Sequence, residues 1–407
     1  MPKHYKIGIL KETKTPPDRR VALTPEQVVE VMNKFENVDV VVQPSELRCY
    51  KDDEYLRVGV KLQDDLSDCD LLIGVKETKI PTIIPGKTYM EFAHVAKKQP
   101  HNQKLIQAFA ENSNTVIDYE YLTDRNGVRL VAFGHWAGVV GAYNALRAIY
   151  LKHKLGELPP AHTLHDYNEL KGVLNEIRLP ALKFVITGGG RVAGGAQEVL
   201  GQANVVEVTH EEFLSREFDH PVYTRLDPWH YAKRKDDKPF EWDYWVSNPA
   251  DHVSTFLPYA HTADVFIACH YWDFRSPHFF TVDDMKQPDF RISIIADVSC
   301  DIPGPIPSTI KASTIADPFF DFNPTTGMEE PAFSCGMNVT VMSIDNLPGE
   351  LPRDASEFFG RLLIDKVLPH LLCDDCEGVI ERATILKDGK LTPRYAYLQD
   401  YLSGKEL

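Results

Sequence analysis

Residues 184–200 read FVITGGGRVAGGAQEVL and place five glycines within positions 188–195. Gly188, Gly189, Gly190, Arg191, Val192 and Ala193 fit the pattern G-x-G-x-x-[GA], after a β-favouring run and before a helical one. Glycine backbone permits a tight turn and close approach to a pyrophosphate, while the unpaired N–H groups and positive dipole end of the next helix face the anion. The pattern points to a dinucleotide; a plain strand-to-helix turn is the alternative, which the flanking strand and helix disfavour. The carboxylate that reads a ribose 2′-hydroxyl is expected about 20 residues further on. Glu207 has that spacing, but the run VVEVTHEEF puts the strand tip at Thr209 or His210. Thr209 at the tip would leave a 2′-phosphate unrepelled, so NAD and NADP are both admissible, with NADPH slightly favoured and Arg216 as a candidate partner.

A second group of reactive side chains lies in the first half. Lys14, Arg19 and Arg20 follow the first strand in ETKTPPDRRVALTP, Lys76 ends the apolar run DLLIGVK, and His94 ends the run YMEFAH. Ligands bind at the carboxyl ends of strands in open α/β sheets. A desolvated lysine beside other cations loses its proton more readily, and histidine titrates near neutrality, so the two could exchange protons with a substrate. Taken singly, they are also ordinary solvated strand ends, and spacing alone carries no claim of catalysis. Near the C-terminus, Cys373 and Cys376 form a CxxC, with His370 upstream. No second pair completes four ligands, so the expectation is a loop with two reduced thiols and no metal. The seven scattered cysteines do not suggest a disulfide framework.

These side chains require strands and helices to hold them. In the first 150 residues, strand signals at 6–10, 38–42, 70–76 and 114–120 alternate with helical ones near 25–36 and 101–112, the rhythm of βαβ units and a parallel sheet. Thr24, Pro25 and Gln27 form the start of the first helix as cap, first position and capping-box partner. A small-residue helix over 136–152 leads into GELPPAHTLHDYNELK, which reads as a domain boundary. A second α/β series follows, with strands expected at 183–187, 204–208, 264–269 and 292–298. Residues 215–258, with three of the five tryptophans, fit that alternation poorly and read as an insertion.

At 407 residues and 43% hydrophobic, the chain can bury two or three cores. A formal charge of −15 argues against non-specific nucleic-acid binding. No apolar run approaches the ~18 residues that span a bilayer, and MPKHYKIGIL has no signal-peptide core, so the expectation is a cytoplasmic protein without membrane partners.

Several blocks, in order, resemble one family: KETKTPPDRRVALTP, IGVKE, FAH, LVAFGHWAGVVGAYNAL, IADVSCDIPGPI, TIADPFFDF and SIDNLPGELPRDASEFFG. They are similar to the saccharopine dehydrogenase (lysine-forming) and lysine-ketoglutarate reductase family, within the alanine dehydrogenase and transhydrogenase fold. The resemblance runs from about residue 6 to 402 and, through the Trp-rich stretch and ATILKDGKLTPRYAYLQ, leans toward the reductase half of the bifunctional enzymes. It implies an α/β fold of two Rossmann-like domains with parallel sheets separated by a cleft: residues 1–140, completed by 345–407, for substrate, and 150–344 for the dinucleotide. It implies reversible NAD(P)-linked interconversion of saccharopine with lysine and 2-oxoglutarate through an imine, in a chain that could form a homo-oligomer. By the same resemblance, Lys76 and His94 are the acid/base pair, and Lys14, Arg20 and Arg129 bind substrate carboxylates. Glu77 and Glu120 stand nearby to tune Lys76 and bind the amine, and Asp345 orients an arginine such as Arg20. For Asp345, a plain helix cap is an equal reading. An alanine dehydrogenase shares the first blocks, though not the C-terminal ones. A non-catalytic nucleotide-binding relative would have no use for the Lys76 and His94 pair.

Overall fold

The computed structural model describes residues 4–405, which gather into two compact units, 4–133 with 352–405 and 134–351. The first unit is built on strands β1 (Tyr5–Ile9), β2 (Val38–Val42), β3 (Lys61–Leu62), β4 (Leu71–Ile73), β5 (Thr88–Glu91) and β6 (Thr115–Asp118). They run parallel in the order β6-β5-β4-β1-β2-β3, and the C-terminal strands Thr384–Lys387 and Lys390–Leu391 extend the β6 edge antiparallel. Their near-continuous apolar runs follow from helices covering both faces.

Helix α1 (Pro25–Lys34) starts as expected, with Thr24 and Gln27 closing a capping box. Its buried Val28 and Val31 pack with Phe359, Leu363 and Ile364 of the C-terminal helix Pro352–Lys366. Gln27 Nε2 also donates to Glu357 O at 2.7 Å, and a Cβ on Gly360 would lie 2.0 Å from Gln27 Oε1. The chain therefore returns to this unit because α1 leaves an apolar face that residues 352–366 cover. Helix α2 (Gln103–Glu111) covers the other side through Leu105, Ile106 and Phe109.

The second unit opens with helix α3 (Gly134–Lys152), followed by α4 (Tyr167–Glu176). Its strands are β7 (Lys183–Thr187), β8 (Val206–Glu207), β9 (Val222–Leu226), β10 (Ala232–Arg234), β11 (His252–Ser254), β12 (Val265–Ala268), β13 (Ile294–Asp297), β14 (Phe320–Asn323), β15 (Met328–Glu330) and β16 (Val339–Met342). The sheet order is β15-β14-β16-β13-β12-β7-β9-β8, parallel from β16 to β8 and antiparallel at β14 and β15. Strands β10 and β11 form a separate antiparallel pair. The expectation of an insertion over 215–258 needs correction: β9 lies inside that span yet is an interior strand of the sheet, and its VYTRL run buries Val222, Tyr223, Thr224 and Leu226. The chain departs from the sheet only after residue 226.

Helix α5 (Arg191–Gln202) carries the second pair of glycines of the opening motif and crosses α3. A Cβ on Gly195 would lie 2.1 Å from His135 O, and one on Gly138 would lie 1.8 Å from Val192 O. Backbone therefore meets backbone at this crossing, and side chains would hold the helices apart. Among the described residues, no helix is long and apolar enough to cross a membrane.

Gly172 is exposed within α4, and a Cβ added there would meet no atom within 4 Å, so it serves as the control. Gly138→Ala is expected to destabilise the protein by about 1–3 kcal/mol through overpacking, and Gly172→Ala to stabilise it by about 0.5–1 kcal/mol through helix propensity. Melting temperatures of the two variants shifting in the same direction would refute the close crossing.

Candidate functional site

The loop after β4 carries Lys76 and Glu77, both half-buried. Glu77 Oε1 lies 2.7 Å from His94 Nδ1, and Lys14 Nζ donates to Glu77 Oε2 at 3.2 Å. One carboxylate thus joins the imidazole after β5 to the ammonium after β1. Burial pushes the Glu77 carboxyl up, but the His94 hydrogen bond, a backbone N–H and Lys14 outweigh it and hold it at about 2. An ionised Glu77 accepts from His94 Nδ1–H, which leaves Nε2 as the atom that can take up or release a proton. Burial lowers the Lys76 ammonium below the ordinary lysine range, and the charges of Arg20 and Lys14 lower it further. His94 has a left-handed backbone with φ 53°, a sparsely populated conformation for a non-glycine residue.

The cations differ in what they can reach. Arg20 is 2% exposed, sits over the Phe133 ring at 4.2 Å, and donates from Nε and Nη2 to the two oxygens of Asp18 at 3.0 and 2.6 Å. Within the first unit it is Asp18, two residues away, that grips Arg20 bidentately. Asp345 is an exposed residue of the second unit, beyond β16. The Lys14 and Arg129 side chains keep 41% and 39% exposure, so they are more accessible than Arg20 to a ligand carboxylate.

Glu120 Oε1 accepts from Arg129 Nη2 at 2.8 Å and pairs with Lys97 Nζ at 2.7 Å. Burial pushes Glu120 up, and the Lys97 bond with the Lys97 and Arg129 charges brings it below its ordinary value. Its Oε2 is buried with no hydrogen-bond partner among the described residues. Lys97 was missed by the sequence reading, although its place three residues beyond His94 put it within reach of the same strand end.

In the second unit, Gly188 has φ +99°, and a Cβ there would lie 2.6 Å from Cys269 O. A Cβ on Gly189 would lie 2.4 Å from Asp227 Oδ1. Gly190 caps α5 without any side-chain hydrogen bond, and the 12-residue helix begins directly after the turn, with its positive dipole end at the glycine loop. These are the features that a pyrophosphate requires, and the residues fit a dinucleotide. Arg191 is exposed, whereas the Val192 carbonyl faces Gly138 and serves the helix crossing.

Thr209 is not the strand tip beside this loop. It caps the short helix α6 (His210–Ser215) through a capping box with Glu212, and it follows β8 at the outer edge of the sheet. Glu207 bonds Tyr223 OH at 3.1 Å and Gln197 Nε2 at 3.3 Å, and Arg216 pairs with Glu212 at 2.7 Å. The strand beside β7 is β9, whose end brings Arg225 and Asp227 to the glycine loop. Arg225 donates to the two Asp227 oxygens at 2.6 and 2.9 Å and to Gly188 O at 3.3 Å. The spacing rule failed because the next strand in the chain is not the next strand in space. Pro221 and Pro228 bracketing VYTRL were the available signal for β9.

Cys373 and Cys376 are exposed free thiols, and His370 Nδ1 lies 3.8 Å from Asp375 Oδ1. Among the described residues, no group of three or more His, Cys, Asp or Glu side chains could hold a metal ion.

Residues 8–140 match the family described as alanine dehydrogenase/PNT, N-terminal domain. The chain is 29% identical to the mitochondrial alpha-aminoadipic semialdehyde synthase of Rattus norvegicus over 99% of its own length and 49% of that protein. It therefore spans about half the length of that relative. It is also 29% identical to the saccharopine dehydrogenase [NAD(+), L-lysine-forming] of Yarrowia lipolytica, over 94% of this chain and 96% of that one. Among solved structures, an L-alanine dehydrogenase superposes with a TM-score of 0.66 at 16% identity, covering 98% of this chain and 99% of the other, a likeness of fold. The chain is thus similar to saccharopine dehydrogenases and alpha-aminoadipic semialdehyde synthases, and its residues 8–140 match the alanine dehydrogenase/PNT N-terminal domain.

Proposed function

We propose that this protein is a nicotinamide-dependent oxidoreductase of lysine metabolism that interconverts saccharopine with lysine and 2-oxoglutarate through an imine. The observation that carries this reading is the hydrogen-bonded set Lys14–Glu77–His94 beside a Lys76 of lowered pKa, in a chain related to enzymes named for that reaction. The dinucleotide supplies the two-electron hydride exchange at the carbon of the carbon–nitrogen bond. Lys76 serves as the proton donor and acceptor at the substrate nitrogen, because burial and neighbouring cations make its ammonium give up a proton more readily than an ordinary lysine. His94 Nε2 takes the proton that water releases as its oxygen bonds to the carbon of the protonated imine, and returns it in the reverse direction, while Glu77 fixes its tautomer. Lys14 and Arg129 bind substrate carboxylates, and the unpartnered Glu120 Oε2 accepts a hydrogen bond from the substrate ammonium.

We further infer that NAD is the preferred dinucleotide, against the lean to NADPH from the sequence. Asp227 replaces Thr209 as the group beside the glycine loop, and its carboxylate would accept from a ribose 2′-hydroxyl and repel a 2′-phosphate.

Oxidation of NADH and NADPH, followed separately, should proceed with lysine plus 2-oxoglutarate; turnover confined to pyruvate plus ammonia would replace this substrate assignment with an alanine dehydrogenase. Lys76→Met should lower kcat by about 10²- to 10⁴-fold with little change in dinucleotide affinity, and wild-type rates would remove Lys76 from the mechanism. Asp227→Ser should move the ratio of kcat/KM values for NADH and NADPH toward NADPH by about tenfold or more. An unchanged ratio would assign the preference elsewhere.

A further inference from the structure

Three buried or half-buried acidic residues stand at neighbouring strand ends of the first sheet. Each turns its carboxyl group to at least one main-chain N–H of the loop after a laterally neighbouring strand. Glu12, after β1, accepts Val75 N–H on Oε1 at 2.7 Å and Lys76 N–H on Oε2 at 2.9 Å, both in the loop after β4. Glu91, the last residue of β5, accepts Thr78 N–H on Oε1 at 3.1 Å, and its Oε2 lies 2.5 Å from Thr78 Oγ1. Asp118, the last residue of β6, accepts His94 N–H on Oδ2 and Glu120 N–H on Oδ1, each at 2.9 Å. The order β6-β5-β4-β1 makes each acid a lateral neighbour of the loop it holds.

We propose that the carboxyl groups of Glu12, Glu91 and Asp118 form a ladder across the carboxyl edge of this sheet, and that they are positioning residues for Lys76, Glu77, His94 and Glu120. The inference rests on the acid/base reading above and deepens it. Loops after strands are otherwise free to shift, and a displacement of about 1 Å costs on the order of 10²-fold in rate. Holding a segment by its backbone fixes where Cα and Cβ lie while leaving the reactive side chain unbound. Glu12 and Glu91 bracket 75–78 from both sides, and Asp118 holds His94 in its left-handed conformation. The groups are not placed there by ordinary solvation: burial pushes Glu12, Glu91 and Asp118 up to about 7, 8 and 6. Carboxyl groups that resist ionisation are tolerated where their acceptors are needed.

Chemistry distinguishes this from a general packing role. Glu12 and Asp118 each accept two N–H donors, so an isosteric amide turns one acceptor into a donor aimed at a donor. Glu91 faces one N–H and one hydroxyl, and a glutamine can satisfy both because the hydroxyl rotates. The full-length chain is tested as E12Q, D118N, E91Q and E91L. Hydrogen exchange of residues 74–79 and 93–95 is measured alongside kcat, KM, NADH affinity and melting temperature. Faster exchange in E12Q over 74–79 and in D118N over 93–95 is expected, with kcat reduced by about 10²-fold, NADH affinity held and melting temperature nearly unchanged. E91Q should retain at least tenfold more activity than E91L. Unchanged exchange in E12Q and D118N would overturn the ladder, as would losses of kcat that simply follow losses of melting temperature. If wild-type protein bound NADH yet turned over no lysine with 2-oxoglutarate, while exchange responded as described, the ladder would stand and the substrate reading would fall.

Discussion

The first unit's site turns on one carboxylate. Glu77 is held ionised by the hydrogen bond to His94 and the Lys14 charge, despite a burial that favours the neutral acid. Its negative charge selects the His94 tautomer, anchors Lys14, and stands beside a Lys76 whose proton burial and neighbouring cations have loosened. Remove that charge and three groups lose their reference at once. The arrangement exists because β1, β4 and β5 are adjacent and parallel, so their carboxyl ends open on the same edge and residues 14, 77 and 94 can meet.

The second unit depends on a different economy of space. Its glycines do not form one feature. Gly188 and Gly189 let the β7 turn pass close to Cys269 and Asp227, while Gly195 lets α5 lie against α3. The same helix therefore presents an uncapped N-terminus at one end of the motif and a bare backbone surface at the next turn. Packing against α3 sets the direction of α5, and that direction aims the N–H groups of its first turn.

Exposure and charge pairing separate the expected ligand-binding cations. Arg20, matched by motif to a substrate-binding role, is nearly inaccessible and gripped by Asp18. Lys14 and Arg129 remain partly exposed while contacting Glu77 and Glu120. Ion pairs at half-exposed positions are weak enough to exchange partners with a ligand, whereas a buried bidentate pair resists separation.

Much was legible in the sequence because it is local. The α1 capping box depends on residues 24–27, the strands at 38–42 and 183–187 are unbroken β-favouring runs, and the glycine loop is contiguous; each appeared where the pattern put it. Lys76 and His94 were identifiable because strand ends follow from strand periodicity, whereas Glu77 entered only through the family resemblance. The partner of Arg20, the part of Lys97, the place of β9 and the carboxylate beside the glycine loop were not. Each depends on which strand lies beside which, or on which of two nearby charges is buried with a cation, and no periodicity along the chain encodes lateral order. Residue types and local spacing determined the strand-turn-helix units and their reactive ends; only tertiary packing decided that β9 rather than β8 adjoins β7, placing Asp227 rather than Thr209 at the loop, because sheet order is set by burial across the whole unit.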